Sequence, residues 1–201
     1  STTMPSCWMQ EYVSGTHDWQ YTGTFSSGLL PHSGNNVAAF LHQSDGTVTK
    51  LVSPLLNLTT VTNPHLTFWH TQKIWSGDQD ELRVYYKSSP TDTWQLLAEY
   101  TSDISTWTMD SIVLPNPSAN YQIAFEATDG YGYGVLIDDI TVKGTPIMKT
   151  VTATVNNVQY GSVTGGGSYA MGTLATLTAL PNGDCEFVCW NNYDPSLTVS
   201  F

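Results

Sequence analysis

Basic residues are scarce in this chain: 6 Lys and Arg stand against 17 Asp and Glu, a net charge of −11 over 201 residues. No basic patch forms anywhere along it. Nucleic acid and anionic membrane surfaces are therefore poor partners, since both are recognised through clustered positive charge. No hydrophobic run reaches the length of a membrane span, so membrane insertion is not expected. No leader-like segment precedes Ser1 either, and the chain reads as a mature or trimmed piece. Three cysteines are too few for a disulfide framework. Cys185 and Cys189 sit in an apparent strand, roughly 13 Å apart at strand rise and beyond bridging reach. All three read as free thiols packed like small hydrophobes.

Catalytic signatures are missing as well. There is no His-Glu-x-x-His, no Gly-x-Ser-x-Gly and no Cys-x-x-Cys. His17, His32, His42, His65 and His70 are scattered singly. Asp78, Asp80 and Glu81 would form a glycosidase pair only with an opposed acid across a cleft; a solvated turn or a calcium ligand is the simpler reading. The run Gly165-Gly166-Gly167 lacks the Lys-Ser/Thr of a phosphate loop and reads as a strand turn. The chain is expected not to be an enzyme.

What is present is strand. No long stretch keeps a 3.6-residue period, while Thr, Val, Tyr and Trp are plentiful. The organising stretch is Tyr121 to Val142. Tyr121, Ile123 and Phe125 alternate with Gln122, Ala124 and Glu126, the pattern of a half-buried strand. Asp129-Gly130 opens a connection kept permissive by Gly132 and Gly134. In the strand that follows, placing Leu136, Ile140 and Val142 in the core puts Asp138 on the same face. A carboxylate aimed inward must be hydrogen-bonded, protonated or held by a cation. Asp139 points the other way.

Along the chain, short apolar pieces alternate with turns. Val37 to Leu41 follows the turn cluster Pro31 to Asn36, and Val48 to Ser53 follows Ser44-Asp45-Gly46. Leu66 to His70, Leu82 to Tyr86, Trp94 to Tyr100 and Trp107 to Leu114 continue the series. Strands with turns every ten or so residues mean an all-β sandwich.

Several motifs follow one another in order: Pro5-Ser6-Cys7-Trp8, Trp19, Ser33-Gly34-Asn35-Asn36, Leu51-Val52-Ser53-Pro54-Leu55 and Leu66-Thr67-Phe68-Trp69. Asp80 to Tyr86, Ile123 to Ala127 and Gly134 to Ile140 complete the set. Residues 4 to 144 resemble a MAM-like jelly roll of the cleaved-adhesin type found in gingipain haemagglutinin regions and Bacteroidetes surface proteins. The resemblance implies a jelly-roll sandwich with structural calcium, serving adhesion or substrate attachment. Such domains begin with an apolar-Phe-Glu strand that this sequence does not show, which places one first-strand ligand in doubt. Beyond the linker Gly144-Thr145-Pro146, the Thr/Val alternation from Lys149, the Gly-rich turn and Phe187 to Trp190 resemble the divergent InlB B-repeat. That module is small and β-grasp-like, and Leu197 to Phe201 reads as the start of a closing portion cut short. The expected domains are 1–144 and 147–201, the second a spacer.

Calcium takes several oxygens from carboxylates, amides and backbone carbonyls. Asp138 is the first candidate ligand. Asp139 is carried over from the double Asp of the resemblance, and Asn36 and Asp80 are looser candidates. For ligand binding, strand parity turns Trp69 and Tyr85 outward, where they would form a flat aromatic platform rimmed by Trp75; cover by a loop or by the C-terminal module is the competing reading. The expected function is a calcium-stabilised adhesion module on the surface of, or secreted by, a bacterium. It would bind host protein or glycan as a monomeric part of a larger polypeptide. The alternative is a carbohydrate-binding or accessory module of a larger secreted peptidase or glycosidase.

Overall fold

The structure, a computed structural model, describes residues 3–43, 46–191 and 198–200. Ser44 and Asp45 of the expected turn, and Leu197 and Phe201 of the expected closing segment, lie outside the described residues. All regular structure among the described residues is β, and the chain separates into two compact units, Ser1–Thr145 and Pro146–Phe201.

In the first unit the strands are β1 (Met9–Ser14), β2 (Gln20–Thr22), β3 (Val37–Phe40), β4 (Val48–Val52) and β5 (Val61–Gln72). They continue with β6 (Glu81–Lys87), β7 (Gln95–Tyr100), β8 (Ile104–Val113), β9 (Gln122–Thr128) and β10 (Val135–Pro146). Two five-stranded sheets result, ordered β1-β4-β9-β6-β7 and β2-β3-β10-β5-β8. Leu51, Leu82, Val84, Ile123 and Phe125 of the first sheet pack against Ala38, Phe40, Leu66, Phe68, Val135 and Ile137 of the second. This is a jelly-roll sandwich. Phe68 and Phe125 meet edge to face across its middle, with ring centroids 5.1 Å apart. Burying each ring stabilises the fold by about 2 kcal/mol.

Two expectations about this core need correction. The β9 strand is not half-buried: Gln122, Ala124 and Glu126, on its outward side, are as hidden as Ile123 and Phe125. On that face Lys50 and the Tyr85 hydroxyl lie against Glu126 and help screen it. In β10 the inward residues are Val135 and Ile137, not Leu136 and Asp138. Leu136 packs on the other side of the sheet with Val37 and Ala39, beneath Phe25, Leu41 and Trp107. Alternation then restarts, because Asp139 adopts a left-handed conformation at φ 50°, and one such residue rotates the next out of phase. Ile140 and Val142 thereby return to the core side. Asp138 stands at the break, half-buried.

The second unit comprises β11 (Met148–Val151), β12 (Gly161–Thr164), β13 (Gly167–Ala170), β14 (Thr176–Pro181) and β15 (Thr198–Ser200). β11 pairs with β13, and β12-β14-β15 form a three-stranded sheet. The glycine run is a turn between strands. A Cβ on Gly165 would fall 1.9 Å from the Thr176 carbonyl oxygen, so only glycine fits there. The stretch 185–190 is irregular rather than a strand, and Cys7, Cys185 and Cys189 are free thiols, with Cys7 and Cys189 exposed rather than packed.

Candidate functional site

The break at Asp138-Asp139 sits on the rim of a pocket of about 450 Å³. Its walls are apolar, from Trp8, Tyr21, Leu51 and Ile137, and its polar edge carries Asn36, Asp138 and Asp139. Three of the four expected metal ligands are therefore brought together. Burial raises the Tyr21 phenol to about 12. Asp138 accepts a backbone hydrogen bond from Ser33 at 2.9 Å and one from Asp139 at 2.8 Å. Asp139 accepts from the Ser33 hydroxyl at 2.5 Å and lies 2.7 Å from His32 Nδ1. The Ser33 hydroxyl first, and the imidazole second, hold the Asp139 carboxyl below its ordinary range.

His32 and Ser33 belong to a strap, residues 23–36, laid over the outside of the β2-β3-β10-β5-β8 sheet. His32 stacks on Trp69 with centroids 3.9 Å apart. Trp107 Nε1 donates to the Leu30 carbonyl at 2.8 Å, and Lys73 Nζ donates to that of Ser27 at 3.0 Å. The strap covers Trp69, so the outward side chain placed there by strand parity is not a free surface.

Tyr85 also faces outward, but on the other sheet. Trp69 lies on β5 and Tyr85 on β6, and these strands belong to opposite layers of the sandwich. The expected common platform does not exist. Trp75 is exposed and packs on Tyr131, with centroids 5.1 Å apart. It rims neither aromatic.

Asp80, the fourth expected ligand, lies apart from the pocket. It is buried, and its carboxylate is filled by the glycine loop after β9. Gly130 N donates to Oδ1 at 2.8 Å, Gly132 N to Oδ1 at 3.1 Å and Gly134 N to Oδ2 at 2.6 Å. A Cβ on Gly132 would meet Asp80 Oδ2 at 2.4 Å, which explains the glycine. Asp80 is an anchor for backbone amides, not a partner of Asp138. Neighbouring Asp129 accepts from Gln43 N at 2.8 Å and lies 2.7 Å from His42 Nδ1. His17 Nδ1 contacts Thr47 Oγ1 at 3.2 Å and Asp129 at 3.6 Å. Hydroxyl and carboxylate face the same ring nitrogen, and Nε2 has no partner among the described residues, so these contacts do not form a relay through the imidazole.

The outer face of the β1-β4-β9-β6-β7 sheet holds residues that strand reading did not single out. Cross-strand register aligns Glu11, Lys50, Glu126, Arg83 and Glu99 in one row of alternating charge. Lys50 Nζ lies 2.6 Å from Glu126, Arg83 Nε 2.7 Å from Glu99, and the Tyr85 hydroxyl 3.2 Å from Glu126. Lys50 is 7% exposed and Glu126 8%, low values for charges facing away from a core. Trp94 Nε1 donates to the Glu11 carboxylate at 3.2 Å. Trp94 immediately precedes β7 and Glu11 lies on β1, the two opposite edges of the sheet. For these to touch, the outer face must curl into a groove. The available signal was a Lys and a Glu set amid apolar residues in mid-strand.

Comparison with known proteins decides the family. The family profile described as MAM domain, meprin/A5/mu matches residues 2–146. The chain belongs to the MAM domain family. The profile of the divergent InlB B-repeat domain matches residues 151–200. Among solved structures, the MAM portion is similar to the K1 cleaved adhesin domain of Lys-gingipain from Porphyromonas gingivalis. Identity is 18% and the TM-score 0.57, over 71% of this chain and 93% of that one. The K3 domain of the same protein gives 17% and 0.54, over 69% and 92%. TmCBM61 in complex with beta-1,4-galactotriose gives 13% and 0.50, over 69% and 89%. At these identities the likeness establishes the fold. A search of curated proteins finds no match.

Proposed function

We propose that the MAM sandwich is a non-catalytic, extracellular binding module. It would be held in shape by calcium and would attach its parent polypeptide to protein or glycan. The observation that carries this is the way its ionisable groups are used. Asp80 is consumed by amides, Asp129 faces His42 and Gln43 N, and Glu81 is paired to Arg83 at 2.7 Å. None of these is an acid opposed to a second across a cleft. Similarity to adhesin domains, and to a protein solved with a bound galactotriose, supports a binding role. The second reading, a carbohydrate-binding accessory module of a larger secreted enzyme, is favoured by the groove beneath Trp94.

The residues at the β10 break fit calcium in chemistry. Asp138, Asp139 and Asn36 are hard oxygen donors on one pocket rim, and carboxylate oxygens that accept one protein hydrogen bond keep a second lone pair. No cluster of three or more His, Cys, Asp or Glu able to hold a metal exists among the described residues. Asn36, backbone carbonyls and water would supply the rest of the six to eight oxygens. Calcium would neutralise paired carboxylates and tie the strap to β10. Melting in calcium and in chelator tests this. Stabilisation of about 2.7 kcal/mol is expected at a hundredfold excess over Kd, and Asp138→Ala or Asp139→Ala should abolish it. Equal wild-type midpoints would remove calcium from the proposal.

A further inference from the structure

The groove on the outer face of the β1-β4-β9-β6-β7 sheet has the composition of a ligand site rather than of a solvated sheet surface. Its floor is Val52, Ala124 and Gln122, all nearly inaccessible. Along one side run the Lys50–Glu126 pair and the Tyr85 hydroxyl that leans on it. Lys50 Nζ also lies 5.4 Å from the Tyr85 ring centroid. Over the groove reaches Trp94, its indole N–H on Glu11 and its ring beneath Lys87 Nζ at 4.5 Å. A five-stranded outer face need not bury a Lys–Glu pair, and doing so costs desolvation that Coulomb attraction alone does not reliably offset.

The charge pattern selects the ligand. Glu11, Lys50, Glu126, Arg83 and Glu99 alternate in sign, so the row repels a polyanion and a polycation alike. It suits a neutral molecule that offers donors and acceptors side by side. Vicinal hydroxyls do this: one accepts from Lys50 or Arg83 while its neighbour donates to Glu126. Trp94 and Tyr85 supply aromatic faces for the apolar side of a ring. We propose that this groove binds a neutral saccharide, with one sugar ring lodged between Trp94 and Tyr85 and its hydroxyls read by Lys50 and Glu126. Entry requires the Trp94–Glu11 contact to open, so Trp94 acts as a flap. The inference rests on the binding-module reading and gives it a ligand class and a place.

The test titrates the full chain with soluble neutral oligosaccharides: β-1,4-galactotriose, xylohexaose, cellohexaose and chitohexaose. Binding is followed by calorimetry and by the indole N–H resonance of Trp94, assigned by its loss in Trp94→Ala. At least one sugar should bind and shift that resonance. Trp94→Ala should weaken binding at least tenfold and Tyr85→Phe severalfold. Tyr85→Phe removes only a hydroxyl and so keeps the fold. Glu126→Gln is a harsher variant whose folding is checked by its melting curve. Saccharide binding that leaves the Trp94 resonance still, or that survives both Trp94→Ala and Tyr85→Phe unchanged, overturns the proposal. So does silence from every sugar. A parallel arm uses immobilised, enzymatically deglycosylated fibronectin. Binding there with no response to sugars sinks the groove while leaving the module reading intact, and failure in both arms counts against both.

Discussion

Asp80 and His70 are buried equally deeply in the same sandwich, each 1% exposed, yet the fold treats them in opposite ways. Asp80 receives three backbone amides from a loop whose glycines allow the approach. Neither nitrogen of His70 has a hydrogen-bond partner among the described residues. Its ring is instead wedged between Tyr100 and Phe68, at centroid distances of 4.4 and 5.2 Å. Burial pushes both groups toward their neutral forms. The Asp80 carboxyl is raised by desolvation even against its three amides, with Asp129 adding to the rise, and the His70 imidazole is lowered to about 4 by burial. What differs is what removal would do. Taking away Asp80 strands donors, whereas taking away His70 strands nothing.

The largest effect is therefore expected at Asp80. Asp80→Ala leaves the amides of Gly130, Gly132 and Gly134 without their acceptor inside the protein. At about 1–3 kcal/mol for each buried orphan, the loss should be about 3 kcal/mol or more. Asp80→Asn keeps one acceptor oxygen and should lose less. Urea midpoints at constant m-value measure both. A wild-type midpoint in Asp80→Ala would mean that the loop finds other acceptors, and the contrast with His70 would collapse.

These assignments were only partly visible in the chain. Local alternation correctly set Leu66, Phe68 and His70 against Thr67 and Trp69, and Leu82 and Val84 against Arg83 and Tyr85, because side-chain direction in a strand follows from the pleat. It failed at Asp138, where a non-glycine residue enters the left-handed region and resets the phase. No composition rule marks Asp139 for that conformation. The shared platform failed for a different reason. Whether β5 and β6 lie in one sheet is a matter of long-range pairing, which strand parity does not reach. The three amides on Asp80 were foreshadowed by the glycines after Asp129, but their target lies some fifty residues earlier. Trp94 and Glu11 are further apart still in the chain, and only the curl of the sheet joins them.

The next effect concerns acid. The folded His70 imidazole titrates near 4 and the unfolded one near its ordinary 6.5. Between those values the unfolded chain holds a proton that the folded chain refuses. Stability is thus full above about pH 6.5 and drains as the pH falls toward 4, by about 3 kcal/mol in all. Asp80 acts in the other direction. Its raised carboxyl favours the folded state in acid, and that contribution fades as the pH rises above its ordinary 3.8. Melting curves from pH 7.5 to 4 should fall steeply in the wild type and show whether His70 dominates. A flat profile would mean either that Asp80 offsets the imidazole or that the ring keeps a polar partner in solution, and His70→Leu separates the two.

The smallest effect isolates His70 from every other titrating group. His70→Leu keeps an apolar side chain of comparable bulk against Phe68 and Tyr100 while deleting two unpaired nitrogens. Removing an unsatisfied buried group is worth about 1–3 kcal/mol. Imperfect filling of the space left by a flat ring takes part of that back, since shape changes in a packed core typically cost under about 1.5 kcal/mol. The net expectation is a gain of about 1 kcal/mol at pH 7.5. The gain should widen as the pH falls toward 4, because the variant no longer loses the stability that His70 forfeits there, while Asp80 titrates alike in both proteins. The difference between the two melting profiles, not either one alone, is the measurement. A variant less stable than wild type at every pH would show that the His70 ring is held by packing that Leu cannot replace. A constant gap across the range would show that the acid response belongs to another group.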